Sequence, residues 1–304
     1  MTERSAAGVA GTAGTAGTAG TAETVETAEI AETVETVETA EIAETVETVE
    51  TAEIAVAVIG ARGRMGSTVC RAVEAAPGLR LVGGYDVGDE LGDLGGAQVV
   101  VEFSVPAASP GNVAACVRQG VHVVVGTTGW DEAGLAAVRS ELAGAPPART
   151  GGRVGVLIAP NFALGAVLMM RFASQAARFF ESVEIVELHH PTKVDAPSGT
   201  AARTASLVAA ARADAGLGSV PDATTADPAG TRGGRVDGIP VHSVRVRGLV
   251  AHQEVILGNV GETLTIRHDS LDRESFMPGV VEGVRRVGAH PGLTVGLEHY
   301  LGLG

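Results

Sequence analysis

Between positions 187 and 201 the chain reads ELHHPTKVDAPSGTA, so two histidines, a lysine and an aspartate crowd ahead of a Ser-Gly-Thr turn. Imidazole and ammonium groups are side chains that deliver a proton to a reacting centre. A Ser-Gly-Thr turn leading into an Ala-rich stretch reads as a helix start, whose backbone N–H groups and hydroxyls cradle an anion. Together they suit an enzyme that holds a small carboxylate and protonates it. Ser198, Gly199 and Thr200 are the expected cradle, and His190 and Lys193 add positive charge to bind carboxylates. His189 or Lys193 supplies the proton. Asp195 either orients Lys193 or turns the loop, and the turn is the expected role. A metal centre is not expected: His189 and His190 are adjacent on a strand and point to opposite faces, and no third ligand has suitable spacing.

A second constellation lies upstream. VAVIGARGRMG, residues 56–66, is a short apolar run followed by glycines spaced GxxGxxG. Gly60, Gly63 and Gly66, with Ala61, Arg62, Arg64 and Met65 between them, form a turn tight enough for backbone to approach a pyrophosphate at a helix N-terminus. Asp86 follows Gly66 by 20 residues, where a ribose-binding carboxylate belongs. It favours NADH, while Arg62 and Arg64 can neutralise a 2′-phosphate and keep NADPH open. Two further tetrapeptides end apolar runs: GTTG, with Gly126, Thr127 and Thr128, and APNF, with Ala159, Pro160, Asn161 and Phe162. In an open parallel sheet ligands sit beyond the carboxyl ends of strands, so both are expected against the nicotinamide. Hydride addition to an unsaturated ring leaves negative charge to be protonated, so a dinucleotide loop beside a proton donor indicates a reductase.

The elements that must carry these groups follow from periodicity. Continuous apolar runs at 55–59, 79–86, 98–103, 121–125 and 154–158 alternate with helical patterns, including 110–119 and 131–142. That alternation predicts an α/β fold with a Rossmann-like, doubly wound parallel sheet. After a helix at 164–180 the pattern changes. A strand at 183–190, a helix at 198–215, a Gly/Pro/Asp-rich loop at 219–238 and alternating strands at 242–248, 252–258 and 262–269 predict a second, α+β domain with an open mixed or antiparallel sheet. A helix at 273–287 closes the chain.

Composition bounds the rest. Of 304 residues with a formal charge of −14, the first 55 carry −11, because Glu recurs at every third position from 23 to 53. A period of three sustains neither a helical stripe nor a strand, so residues 1–54 are expected to be a disordered low-complexity tail. The acidity therefore says little about ligands, and no basic run points to nucleic acid. No apolar run of about 18 residues predicts a membrane span, and the start lacks the pattern of a signal peptide. Cys70 and Cys116 lack metal-ligand spacing and are expected as buried thiols of a reduced, cytoplasmic protein.

Taken in order, VAVIGARGRMG, VEFSVP, VVVGTTGW, IAPNFALGAV, ELHHPTKVDAPSGTA, GLVAHQEVILG and GETLTIRHDSLDRESFMPGV resemble the 4-hydroxy-tetrahydrodipicolinate (dihydrodipicolinate) reductase family, from about residue 55 onward. The resemblance implies NADH- or NADPH-dependent reduction of the cyclic dicarboxylate (2S,4S)-4-hydroxy-2,3,4,5-tetrahydrodipicolinate to tetrahydrodipicolinate, on the diaminopimelate route to lysine. It implies His189 as proton donor and acceptor and Lys193 as proton donor, with His190, Gly199 and Thr200 on the substrate. It implies a nucleotide domain at 55–163 completed by 271–304, a substrate and oligomerisation domain at 164–270, and a homotetramer built through the substrate-domain sheets. The N-terminal repeat matches no part of the family pattern.

Overall fold

The computed structural model describes residues 53–302, so the expectation of a disordered tail lies outside the described residues except at its last two positions. Valine-rich runs build the first sheet from β1 (Ile54–Ile59), β2 (Leu79–Tyr85), β3 (Val99–Glu102), β4 (His122–Val125) and β5 (Gly155–Ile158). All are parallel, in the order β2-β1-β3-β4-β5, and β11 (Gly292–Val295) joins the outer edge of β5. Because side chains alternate across a strand, each strand serves two layers. Val56 and Val58 pack with Val69 and Val73 of α1 (Arg64–Ala75) and Val280 and Val284 of α6 (Met277–Arg286). Ala57 and Ile59 pack with Val113 and Val117 of α2 (Ser109–Arg118) and Leu135 and Val138 of α3 (Glu132–Ala143). Helices on both faces explain why these runs are apolar throughout rather than alternating.

The chain leaves β1 toward β2 on one side and returns to β3 on the other. The crevice at this reversal, beyond the carboxyl ends of β1 and β3, is where a ligand fits. Backbone hydrogen bonds align the exits: Phe103 N donates to Ile59 O (3.0 Å), Gly126 N to Glu102 O (2.9 Å) and Ala159 N to Val125 O (3.0 Å).

The second sheet is mixed, in the order β10-β9-β6-β8-β7, from β6 (Ser182–His189), β7 (Gly234–Val236), β8 (Ile239–Arg245), β9 (Ala251–Asn259) and β10 (Glu262–Ser270). Only the β6–β8 pairing is parallel. Val183, Ile185, Val255 and Leu257 pack with Ala173 of α4 (Leu164–Ala176) and Ala201, Ala205 and Val208 of α5 (Gly199–Asp214). Alternate residues, including Glu184, Val186, Leu188 and Ile256, are only half-buried.

The expected fold class is therefore present, with local corrections. The expected loop at 219–238 contains β7, paired with β8 through a two-residue turn in which Asp237 (φ 49°) and Gly238 (φ 83°) are left-handed. Asp-Gly is the signature of such a hairpin, and it moves the start of β8 back to Ile239. The final helix begins as a 3₁₀ turn, Arg273–Phe276, before Pro278 sits in the first turn of α6. The helix expected at 164–180 ends at Ala176, and β11 was not foreseen.

Candidate active site

The glycine loop closes on itself so tightly that side chains are excluded. A Cβ on Gly66 would fall 1.9 Å from Gly60 O, and one on Gly60, whose φ is +83°, would fall 2.4 Å from Phe103 O. α1 then begins at Arg64 with Gly63 at its N-cap and no side-chain cap, so its first N–H groups face the crevice without a local acceptor. Asp86, just past β2, accepts the Arg62 backbone N–H (2.8 Å) and that of Val87 (3.0 Å), which fixes its carboxylate beside the loop. These backbone hydrogen bonds hold Asp86 below the usual carboxylate range. The Arg62 guanidinium pairs with Asp89, which also accepts the Asp86 N–H (2.8 Å). Thr127 Oγ1 is buried with no hydrogen-bond partner among the described residues, and a Cβ on Gly126 would collide with the Phe103 ring. An uncapped helix start, a loop only glycine can form, an acid at the second strand and an orphaned hydroxyl along the row of strand ends fit a dinucleotide.

On the second sheet, Ser198 caps α5, its Oγ accepting the Ala201 N–H (3.1 Å). A Cβ on Gly199 would meet nothing within 4 Å, so the cradle opens outward. His189, at the end of β6, lines the same small cavity as Ser198, Thr200, His252 and Gln253. Asn161 reaches it from the other lobe, donating to Thr200 Oγ1 (3.0 Å). At about 20 Å³ the cavity holds roughly one water. His189 Nδ1 meets Glu187 Oε2 at 2.5 Å. An ionised carboxylate only accepts, so Nδ1 carries the proton and Nε2 is left for the cavity. Burial, reinforced by the charges of Lys193 and Arg245 and opposed by Glu187, holds the imidazole below the ordinary histidine value. Burial pushes Glu187 up, but hydrogen bonds from Arg245, Ser243 and His189 outweigh it and hold the carboxyl low.

The structure brings most of the expected residues to the two crevices. Gly60, Ala61, Arg62, Gly63, Arg64, Met65 and Asp86 lie at the first crevice, with Gly126, Thr127, Thr128, Ala159, Pro160, Asn161 and Phe162 along the adjoining strand ends. His190 instead turns its ring to Thr192 (Nδ1···Oγ1 2.8 Å). Asp195 does more than turn the loop: its Oδ1 accepts from Lys193 Nζ at 2.7 Å, a correction to the expected role. Sequence reasoning missed Glu187 and Arg245. The one available signal was Glu187 two residues before His189, on the same face of a strand; Arg245 joins only through the β6–β8 register, where it pairs with His189. Among the described residues no cluster of three or more His, Cys, Asp or Glu is arranged to hold a metal ion, and no helix is long and apolar enough to cross a membrane.

Sequence models described as dihydrodipicolinate reductase, N-terminus, and dihydrodipicolinate reductase, C-terminus, match residues 54–162 and 165–301. The 4-hydroxy-tetrahydrodipicolinate reductase of Streptomyces griseus is 61% identical over 249 residues, 81% of this chain and 97% of that protein. The protein of the same name from Nocardia farcinica is 59% identical over 248 residues, 81% of this chain and 98% of that protein. Among solved structures, a dipicolinate-bound dihydrodipicolinate reductase from Paenisporosarcina sp. TG-14 superposes with a TM-score of 0.67 at 34% identity, covering 81% of this chain and 99% of that one. With a glycine crevice on one sheet, a histidine-lysine cluster on the other and relatives matched over nearly their whole length, the chain belongs to the dihydrodipicolinate reductase family.

Proposed function

We propose that this chain is an NADH- or NADPH-dependent oxidoreductase that reduces (2S,4S)-4-hydroxy-2,3,4,5-tetrahydrodipicolinate to tetrahydrodipicolinate, in lysine biosynthesis through diaminopimelate. The observation that carries the reading is the hydrogen bond from Asn161, in the row of strand ends, to Thr200 of the anion cradle, which joins the two crevices into one site. The names of the relatives support the substrate, and the dipicolinate-bound neighbour supports a dicarboxylate ring as the kind of ligand.

The bound nicotinamide supplies hydride. Gly60, Ala61, Arg62, Gly63, Arg64 and Met65 hold the pyrophosphate end, Asp86 the ribose, and Gly126 to Thr128 with Ala159 to Phe162 the nicotinamide end. Ser198, Gly199 and Thr200 bind one substrate carboxylate through the helix start, and His190 and Lys193 add charge-assisted contacts. The 4-hydroxyl must leave as water to give a conjugated ring. Hydride added at the vacated carbon then pushes the π electron pair to the neighbouring ring carbon, so one hydride and one proton enter and one water leaves. His189 Nε2, or Lys193 Nζ, gives that carbon its proton. Lys193 is held in readiness by Asp195, whose carboxyl the ammonium keeps low against the upward pull of burial.

The nucleotide domain comprises residues 55–163 and 271–304, and residues 164–270 form the substrate domain. The half-buried face of the second sheet supports assembly into a cytoplasmic homotetramer through that sheet, which equilibrium sedimentation tests. The functional test is a coupled assay: pyruvate, aspartate semialdehyde and the family's upstream synthase, with oxidation of NADH and NADPH followed separately. Oxidation that depends on the synthase supports the reading; none with either cofactor overturns it.

A further inference from the structure

Glu187 has no exposed surface, yet donors from several elements converge on it, among them Ser243 of β8. His189 Nδ1 and Arg245 Nη1 meet its Oε2 at 2.5 and 2.8 Å, and Arg245 Nη2 and the Ser198 N–H meet its Oε1 at 2.7 and 3.3 Å. Arg245 Nη2 also donates to Asp195 O (2.8 Å), in the loop that carries Lys193. One carboxylate thus ties the end of β6, the first turn of α5 and, through the guanidinium, the lysine loop. A buried ion pair adds little net stability, because desolvation offsets the attraction. The stronger consequence here is geometric. Guanidinium against carboxylate is a planar, two-pronged contact that fixes both groups in angle as well as distance.

We propose that Glu187 and Arg245 are the positioning pair of this active site, Glu187 holding His189 with Nδ1 protonated and Nε2 toward the substrate, and Arg245 setting the lysine loop against it. The proposal rests on the reading of His189 as proton donor. Neither residue needs to touch substrate: their effect passes through His189, the Ser198 N–H and the backbone of Asp195. The charged and titratable groups around His189 are Glu187 on its own strand, Arg245 on β8, Lys193 and Asp195 in the loop, and His252 and His268 on β9 and β10 lining the same cavity. Glu187 is the carboxylate bonded to the ring itself, so neutralising it leaves the imidazolium facing uncompensated positive charge.

The test is steady-state kinetics across pH on Glu187→Gln, Arg245→Lys, His189→Ala and the Glu187→Gln/His189→Ala double variant, with NADH binding and Tm measured for each. Glu187→Gln should lower kcat tenfold or more, but by no more than the roughly 10²- to 10⁴-fold that a positioned proton donor contributes. Its alkaline limb should move to lower pH, with NADH Kd within about twofold of wild type. In the double variant, Glu187→Gln should add much less than its loss as a single variant, because the larger part of its effect runs through His189. Arg245→Lys keeps the charge and loses the fork, so kcat should fall with the limb near its wild-type position; it also carries the test should Glu187→Gln not fold. An unmoved limb in Glu187→Gln, or losses that simply multiply in the double variant, would reduce the pair to scaffolding and overturn the proposal. If His189→Ala keeps wild-type kcat, the reading of His189 fails and the proposal falls with it. If His189→Ala is inactive and Glu187→Gln is normal, the pair alone is wrong.

Discussion

Imidazole, ammonium and hydroxyl groups do different work here according to what faces them. His189 has its side chain mostly enclosed and backed by a carboxylate, whereas His190 stands in a turn against Thr192. His189→Ala and Lys193→Ala should each lower kcat by about 10²- to 10⁴-fold and leave NADH binding intact. His190→Ala should mainly raise KM, because a carboxylate grip acts on ground and transition states alike. Changes confined to KM for all three, in initial-rate measurements, would reduce the cluster to a carboxylate clamp. The proposed function puts cofactor choice at Asp86, with Arg62 beside it but engaged by Asp89. Asp86→Ala should move the NADH-to-NADPH ratio of kcat/KM toward NADPH, and an unmoved ratio would take Asp86 off the ribose. Residues with a local motif were legible in sequence: the glycines, the histidines, the lysine and the cradle. Arg245 was not, because it lies 58 positions from Glu187 and only sheet register joins them.

Helix starts and strand exits carry the site, so backbone closeness governs it at the level of elements. Gly60 O cannot retreat from a new side chain at Gly66, since Gly60 N is bonded to Tyr85 O (2.8 Å) and its own Cβ position is closed by Phe103. Gly66→Ala should therefore push the start of α1 away from the loop. NADH affinity should drop at least tenfold, with a stability loss of about 1–3 kcal/mol from overpacking. Calorimetric titration and thermal unfolding check both; wild-type NADH affinity would mean the loop does not hold the pyrophosphate. The parallel strands were legible because burial on both faces leaves continuous apolar runs. Two short strands were not. β7 shows only three residues, and its signal was the Asp-Gly turn rather than any pattern of its own. β11, at the edge of the first sheet, has four residues, none of them fully buried, too little for periodicity to register.

For the whole molecule, the matched family region spans residues 54–301 and the relatives are covered almost entirely without the repeats. Deleting residues 1–52 should leave kcat/KM and Tm essentially unchanged, and a marked loss of either would make the repeats part of the working enzyme. Global stability should in turn depend on pH through histidines, one of them far from the chemistry. His122 in β4 is fully buried. Its Nδ1 accepts the Gly155 N–H (2.9 Å), so the ring proton sits on Nε2, which faces Thr150 Oγ1 at 2.6 Å. Both nitrogens are used by the neutral ring, and burial holds it below the ordinary histidine value. The unfolded chain takes up a proton near pH ~6.5 that the folded state refuses. More protons are then bound by the unfolded state, so stability is lost as pH falls below that value and is unaffected well above it. Partly buried His189 and His268 act in the same direction, so one variant should remove only part of the slope. His122→Gln should start with a lower Tm at pH 7.5, from lost packing, and then fall less than wild type between pH 6.5 and 5. Tm curves that run parallel over this range would show that His122 takes its proton as readily folded as unfolded.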